Sequence, residues 1–182
     1  MKTILLGVSG SISAYKAADL ANQLTKSGYS VHVIMTRSAQ AFITPLTLQT
    51  LSKNAVHFDI LDEPDAKKIM HIDLIKQADL FLIAPATANI IGKAANGIGD
   101  DMLSTTILAS HDIPMVIAPA MNTYMYDNPA VQENLETLKR RGWLEIEPRS
   151  SLLACGDIGR GALAEIDDIV KFVDNIFKES VK

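Results

Sequence analysis

Short apolar runs place the strongest constraint on the fold of this chain. Residues 2–8, 78–84 and 113–118 are almost continuously apolar, and residues 29–35 alternate between apolar and polar side chains. Continuous runs of this length are typical of parallel strands that are covered on both faces. We therefore predict four strands of a mostly parallel sheet, and a further short strand over residues 143–146.

Helical periodicity fills the segments between these strands. Apolar residues recur at three- and four-residue steps over 13–24, and Gly28 is expected to end that helix. Further helices are predicted over residues 89–110, with a break near Gly97 or Gly99, and over 128–141 and 167–178. Strands that alternate with helices predict an α/β fold, a single-domain doubly wound sheet of the Rossmann or flavodoxin-like type.

Composition narrows the class of protein. Of 182 residues, 48% are hydrophobic and 21% are charged, with a net charge of −4. This balance of hydrophobic and charged residues is typical of a globular protein. The length predicts one domain over residues 1–182, since domains have roughly 100–200 residues. No apolar run reaches the roughly 18 residues of a membrane span, and the mild acidity argues against a nucleic-acid partner. The single cysteine, Cys155, and the lack of a recognisable secretory signal predict a cytoplasmic protein.

Polar and glycine-bearing peptides follow four of the predicted strands, at residues 9–11, 36–38, 85–89 and 119–122. The carboxyl ends of parallel strands share one edge, so these peptides predict one composite pocket. The loop at 7–11 precedes a helix, where free backbone N–H groups favour an anion. A turn glycine followed by a serine N-cap explains that loop alone equally well. Thr36 and Ser38 at the next strand end favour a mononucleotide phosphate or a flavin.

Four polar side chains are candidates for chemistry. Asn89 can hydrogen-bond the edge of a ring or cap the next helix, and Asn122 can donate to a carboxylate. His71 is predicted to open a helix near the pocket, where it has either a structural or an acid–base role. Cys155 lies among glycines, which predicts a mobile loop and a reactive thiol; the alternative is a buried small hydrophobe.

Six segments occur in the order found in one protein family. The sequence resembles the homo-oligomeric flavin-containing cysteine decarboxylases from about residue 3 to residue 165. The matching segments are 7–16 (GVSGSISAYK), 71–74 (HIDL), 85–89 (PATAN), 96–103 (NGIGDDML), 119–125 (PAMNTYM) and 154–157 (ACGD).

The resemblance implies a reaction in which FMN does the redox chemistry. The implied substrate is 4′-phosphopantothenoylcysteine, whose carboxylate cannot leave without an electron sink. FMN oxidises the thiol-bearing carbon to a thioaldehyde, and loss of CO2 then gives an enethiolate. Return of the electrons and protonation give 4′-phosphopantetheine, so the implied place of the reaction is coenzyme A biosynthesis.

The resemblance also implies roles for individual residues. His71 matches the active-site histidine, Asn122 the amide that holds the substrate carboxylate, and Cys155 the proton donor of the final reduction. The implied FMN contacts are Ser9, Gly10, Ser11, Thr36, Ser38, Thr87, Ala88, Asn89 and Ala120. The implied substrate contacts are Asn122, Met121, Ala154 and Ala162, and no metal site is expected. Arg37, Lys16 and Arg160 are hypothetical ligands of the substrate phosphate.

The resemblance implies a trimer, or an assembly of trimers, with flavin sites between subunits. The family motif over 119–126 commonly ends in tryptophan, whereas this sequence has Tyr126. Many bacterial relatives carry a fused phosphopantothenate–cysteine ligase, and we expect that ligase to be a separate protein here.

Three other functions fit parts of the pattern. A peptidyl-cysteine decarboxylase of the lantibiotic type lacks the reducing cysteine, so Cys155 disfavours it. A flavin prenyltransferase shares the fold, but His71 and the segment 119–125 disfavour it. A non-enzymatic flavoprotein that regulates a phosphatase usually has acidic extensions, and these 182 residues contain none.

Overall fold

A six-stranded sheet forms the centre of the computed structural model, which describes residues 1–62, 67, 69–152 and 158–179. The strands are β1 (Thr3–Val8), β2 (Ser30–Met35), β3 (Val56–His57), β4 (Leu80–Ala86), β5 (Met115–Pro119) and β6 (Leu144–Glu145). Their spatial order is β3-β2-β1-β4-β5-β6, and all neighbours are parallel. The order reverses between β1 and β4, which is where doubly wound sheets form their ligand crevice.

Eight helices accompany the sheet in the described part of the chain. They are α1 (Lys16–Lys26), α2 (Pro45–Ser52), α3 (Met70–Gln77), α4 (Ala88–Asn96), α5 (Met102–Ala109), α6 (Thr123–Tyr126), α7 (Pro129–Arg140) and α8 (Ile166–Glu179). Short 3-10 segments cover Ile12–Tyr15 and Ala39–Ala41. Among the described helices, none has both the length and the hydrophobicity of a membrane span.

The sheet is covered on both faces, as its apolar strands predicted. Ile4, Leu6 and Val8 of β1 share one core layer with apolar residues of α1, α2 and α8. Leu5, from the opposite face of the same strand, belongs to a second layer with residues of α3, α4, α5 and α7. All seven residues of β4 are buried. The predicted doubly wound α/β fold is therefore confirmed.

Two predicted helix boundaries are confirmed at glycines. Gly28 follows the end of α1 with φ +91°, and Gly97 ends α4 with φ +70°. Positive φ values of this size favour glycine because it has no Cβ. Asp101 then begins α5 by accepting a hydrogen bond from Ser104 N at 2.8 Å, so the predicted break in residues 89–110 lies between α4 and α5.

A two-stranded antiparallel hairpin, β7 (Arg149–Leu152) with β8 (Ile158–Ala162), replaces part of the predicted mobile loop. The loop prediction was wrong over 158–162 because its glycines permit close packing. A Cβ on Gly161 would collide with the Met121 carbonyl oxygen, and one on Gly159 would lie 2.5 Å from Thr123 Oγ1. Met121 N donates to Gly161 O at 2.8 Å. The hairpin therefore lies against the segment that follows β5.

Candidate active site

One cavity of about 820 Å³ opens where β1, β2, β4 and β5 end. This volume lies in the usual range for small-molecule sites. All nine predicted cofactor residues line it: Ser9, Gly10, Ser11, Thr36, Ser38, Thr87, Ala88, Asn89 and Ala120. Three predicted substrate residues, Met121, Asn122 and Ala162, line the same cavity. The predicted composite pocket at the carboxyl edge of the sheet is thus present.

The loops after β1 and β2 touch each other at one end of the cavity. A Cβ on Gly10 would collide with Cβ of Ser38 and lie 3.0 Å from the Ser38 carbonyl carbon. Ser11 Oγ accepts from Ser13 N at 3.2 Å, and Thr36 Oγ1 accepts from Ala39 N at 3.2 Å. A hydroxyl that accepts one bond still has its own proton to donate. This end of the cavity therefore offers small residues and hydroxyl donors, which suit an anion.

Ser9 and Thr87 connect the loops after β1 and β4. Ser9 is 1% exposed, its Oγ donates to Pro85 O at 2.7 Å, and the same atom accepts from Thr87 N at 3.0 Å. Thr87 Oγ1 in turn accepts from Ile90 N at 3.4 Å and caps α4. The alternative that Asn89 caps this helix was therefore wrong. Asn89 is exposed and lines the cavity.

The segment after β5 is ordered and includes a short helix. Asn122 Oδ1 accepts from Tyr124 N at 2.8 Å and so caps α6. Met121 and Met125 line the cavity, and Met125 is 48% exposed, so Met125 is not part of the hydrophobic core. The cap fixes the orientation of the Asn122 amide at the cavity wall.

Four basic side chains line the cavity, and sequence reasoning assigned no role to two of them, Lys93 and Arg149. Lys93 Nζ lies 2.5 Å from Asp100 Oδ1 and 2.8 Å from Asp101 Oδ2. Arg149 Nε lies 3.1 Å from Glu165 Oε1. The cluster of Lys93 with Asp100 and Asp101 could have been predicted from sequence, because the two aspartates follow shortly after the glycine that ends the helix of Lys93.

The other two basic residues, Lys16 and Arg37, have no carboxylate within ion-pair distance in the described chain. Arg160 is not in the cavity wall. Its Nη2 lies 3.7 Å from Asp127 Oδ1, and its guanidinium lies 5.3 Å from the centre of the Tyr126 ring. Of the three hypothetical phosphate ligands, Lys16 and Arg37 are therefore placed at the cavity and Arg160 is not.

His71 does not line the cavity of its own chain. It is the second residue of α3, whose N-cap is Ile69, so the prediction that His71 lies at the start of a helix is confirmed. Its Nδ1 is buried and has no hydrogen-bond partner in the described residues. Cys155 and Ala154 lie outside the described residues. Asn122 lines the cavity and His71 does not, so these two residues do not share this site within one chain.

A profile described as Flavoprotein matches residues 1–178. The chain belongs to this flavoprotein family. A probable phosphopantothenoylcysteine decarboxylase of Streptococcus mutans is 55% identical over 95% of this chain and 97% of its own length. The coenzyme A biosynthesis bifunctional protein CoaBC of Bacillus subtilis is 50% identical over 98% of the chain, which spans 44% of that longer protein.

Solved structures agree with the flavoprotein assignment. A PPC decarboxylase mutant complexed with pantothenoylaminoethenethiol has a TM-score of 0.90 and 33% identity, and the match covers 97% of this chain and 98% of that one. The FMN-dependent cysteine decarboxylase SpaF has a TM-score of 0.81 and 33% identity over 94% of both chains. The resemblance inferred from the six sequence segments is confirmed.

The cavity of this flavoprotein suits a flavin cofactor. Hydroxyls and the Gly10–Ser38 contact form one end, where a phosphate needs close backbone approach and donors. Apolar side chains, including Ile12, Ile90 and Met121, line other parts of the wall and suit the flat ring system.

Proposed function

We propose that this flavoprotein converts 4′-phosphopantothenoylcysteine to 4′-phosphopantetheine with bound FMN, in the cytoplasm, as a step of coenzyme A biosynthesis. One observation carries the proposal: the hydroxyl-bearing residues Ser11, Thr36 and Ser38, which suit an anion, line the same cavity as Asn122. The named relatives and the solved decarboxylase structure support the same reaction.

FMN is held in this proposal by the nine residues predicted from sequence. The hydroxyls of Ser11, Thr36 and Ser38 donate to its phosphate, and the small residue Ala120 lets the ring approach the strand end. When bound, FMN supplies reversible two-electron oxidation of the thiol-bearing carbon, which creates the electron sink for the leaving CO2. The chain itself binds, orients and moves protons.

Asn122 binds the substrate carboxylate in this proposal. Its Oδ1 accepts from Tyr124 N, so the amide plane is fixed and Nδ2 is the group that donates to the carboxylate. Met121, next to it in the cavity wall, contacts the substrate chain. An amide suits this task because it holds the carboxylate without a charge that would oppose its departure as CO2.

Lys16 and Arg37 attract the phosphate groups in this proposal. Lys93 and Arg149 already pair with carboxylates, whereas Lys16 and Arg37 have no such ion pair in the described chain. A cation that is not neutralised by a neighbouring carboxylate contributes more to the attraction of a dianion at the cavity entrance.

His71 acts in the cavity of a neighbouring copy in this proposal. It is absent from the cavity wall of its own chain, and its buried Nδ1 has no partner among the described residues. Exposed apolar side chains supply contact area for a second copy. They are Ile69 near His71, Ile98 between α4 and α5, and Leu108 of α5, which are 57%, 47% and 49% accessible. A trimer, or an assembly of trimers, with shared flavin sites satisfies these requirements.

The product identifies the reaction. Purified protein is expected to carry flavin absorbance, to elute as an oligomer, and to convert 4′-phosphopantothenoylcysteine to a product lighter by one CO2 in mass spectrometry. A product lighter by one CO2 and two hydrogen atoms would indicate an oxidative decarboxylase instead. Protein that binds no added FMN, or returns the substrate unchanged, would refute the proposal.

Replacement of Cys155 by serine is expected to separate decarboxylation from reduction. Cys155 donates the proton of the final step in this proposal, and a serine hydroxyl is far less acidic than a thiol. The C155S enzyme should release CO2 and accumulate an oxidised enethiol product together with reduced flavin, measured by mass spectrometry and by flavin absorbance. Formation of 4′-phosphopantetheine at the wild-type rate would exclude Cys155 as the donor.

A further inference from the structure

A buried phenol–carboxylate pair lies directly behind the cavity wall. Tyr126 is 4% exposed, and its Oη donates to Glu145 Oε1 at 2.9 Å. The Glu145 side chain is 3% exposed, and its Oε2 lies 3.0 Å from Lys139 Nζ. Neither Tyr126 nor Glu145 lines the cavity of its own chain.

Tyr126 is the one buried side chain of α6, the helix that begins at Asn122. Tyr124 and Met125 of the same helix are 76% and 48% exposed. Tyr126 N donates to Asn122 O at 2.9 Å, which joins the two residues through one helical turn. A four-residue helix with a single buried residue depends on that residue for its position.

The acceptor of this hydrogen bond is fixed by the sheet. Glu145 lies in β6 and pairs with Ile117 of β5, the strand that leads into the Asn122 segment. Burial raises the pKa of Tyr126, and the Glu145 carboxylate raises it further, so the phenol remains a proton donor at neutral pH. The bond therefore connects α6 to the central sheet.

The β7–β8 hairpin contacts both Tyr126 and Met121. The Arg160 guanidinium of β8 contacts the Tyr126 ring at 5.3 Å, and Gly161 O of the same strand accepts from Met121 N at 2.8 Å. The Asn122 segment thus lies between two attachments, the hairpin at Met121 and Glu145 at Tyr126.

We propose that the hydrogen bond from Tyr126 to Glu145 positions the Asn122 amide for the carboxylate of the substrate. Tyr126 is then a positioning residue that acts through Asn122, and this inference rests on the proposed decarboxylase function. The Tyr126 side chain places an aromatic ring at this position, and its hydroxyl reaches Glu145 of β6.

The test removes the hydroxyl and keeps the ring. Tyr126→Phe retains the contact of the ring with Arg160, and Glu145 keeps Lys139 as its partner. We expect bound FMN, oligomer size and kcat to stay within about twofold of the wild type, and KM for 4′-phosphopantothenoylcysteine to rise about tenfold, the loss typical of one hydrogen bond to a charged group. Affinity for 4′-phosphopantetheine, which has no carboxylate, should not change.

A matched control is available elsewhere in the chain. Tyr29 Oη donates to Asp174 Oδ1 at 2.6 Å, and neither residue lines the cavity, so Tyr29→Phe makes the same chemical change away from the site. Its KM should equal that of the wild type. Glu145→Gln retains an acceptor for the Tyr126 phenol and should raise KM less than Tyr126→Phe does.

The outcomes are distinguishable. Wild-type protein that forms no product would overturn the decarboxylase proposal itself. An active wild type with an unchanged KM in Tyr126→Phe would overturn the positioning role. Equal weakening of substrate and 4′-phosphopantetheine would also overturn it, because a general structural defect does not discriminate between ligands with and without the carboxylate.

Discussion

Replacing His71 with asparagine is expected to lower kcat by a factor of about 100 or more, the usual contribution of a general acid or base. His71 belongs to α3 and lies outside the FMN-binding wall, so flavin content should stay at the wild-type level. The measurement is turnover of 4′-phosphopantothenoylcysteine alongside flavin absorbance of the purified variant. Unchanged turnover would return His71 to a structural role.

The same variant tests whether copies of the chain share a site. His71→Asn supplies a complete cavity wall, and Asn122→Asp supplies an intact His71. At substrate concentrations near the wild-type KM, both variants turn over little substrate. Unfolding and refolding the two proteins together should then restore activity to about one quarter of the wild-type rate, because random assembly places an intact cavity wall beside an intact His71 in that share of sites. Mixtures that remain inactive, with wild-type protein recovering under the same conditions, would place His71 outside a neighbouring cavity.

Replacing Asn122 with aspartate is expected to raise KM for the substrate roughly 100-fold, because two like charges placed together cost several kcal/mol. The aspartate keeps the shape of asparagine and is an equally good N-cap, so Tyr124 N still has its acceptor and α6 should form. The expected defect is therefore one of charge rather than of folding. Steady-state kinetics of the variant, with its circular dichroism, measure both.

A ligand without a carboxylate provides the control for this substitution. Binding of 4′-phosphopantetheine should be almost unaffected in Asn122→Asp, since that ligand brings no second negative charge to the position. Equal loss of affinity for both ligands would indicate that Asn122 has a different task.

The sheet could be predicted from sequence because its central strands are buried on both faces. β4 is buried at all seven positions, and its apolar run is correspondingly continuous. β3 has two residues, Val56–His57, which is too short for any periodicity. Helix α2 was missed although Thr44 caps it and Pro45 occupies its first turn, a recognisable start signal. The hairpin was missed because glycines and polar residues in β7 and β8 are typical of loops as well.

The cavity wall could be predicted for a topological reason. Once the strands are parallel, the peptides after β1, β2, β4 and β5 must meet at one edge, whatever their individual side chains do. The position of His71 could not be obtained this way, because helical periodicity does not say which neighbour a helix end faces. The Tyr126–Glu145 contact joins residues 19 positions apart on different elements, and no local pattern encodes it.

The two margins of the sheet, β3 and β6, have only two residues each. Strands this short leave few unpaired backbone groups, so a second chain gains little from extending the sheet at either side. The proposed association between copies then does not depend on extension of this sheet. Contacts between side chains of helices and loops can hold a ligand between protomers while each protomer keeps its own sheet unchanged, and single substitutions on the helices can alter assembly without disturbing the strands.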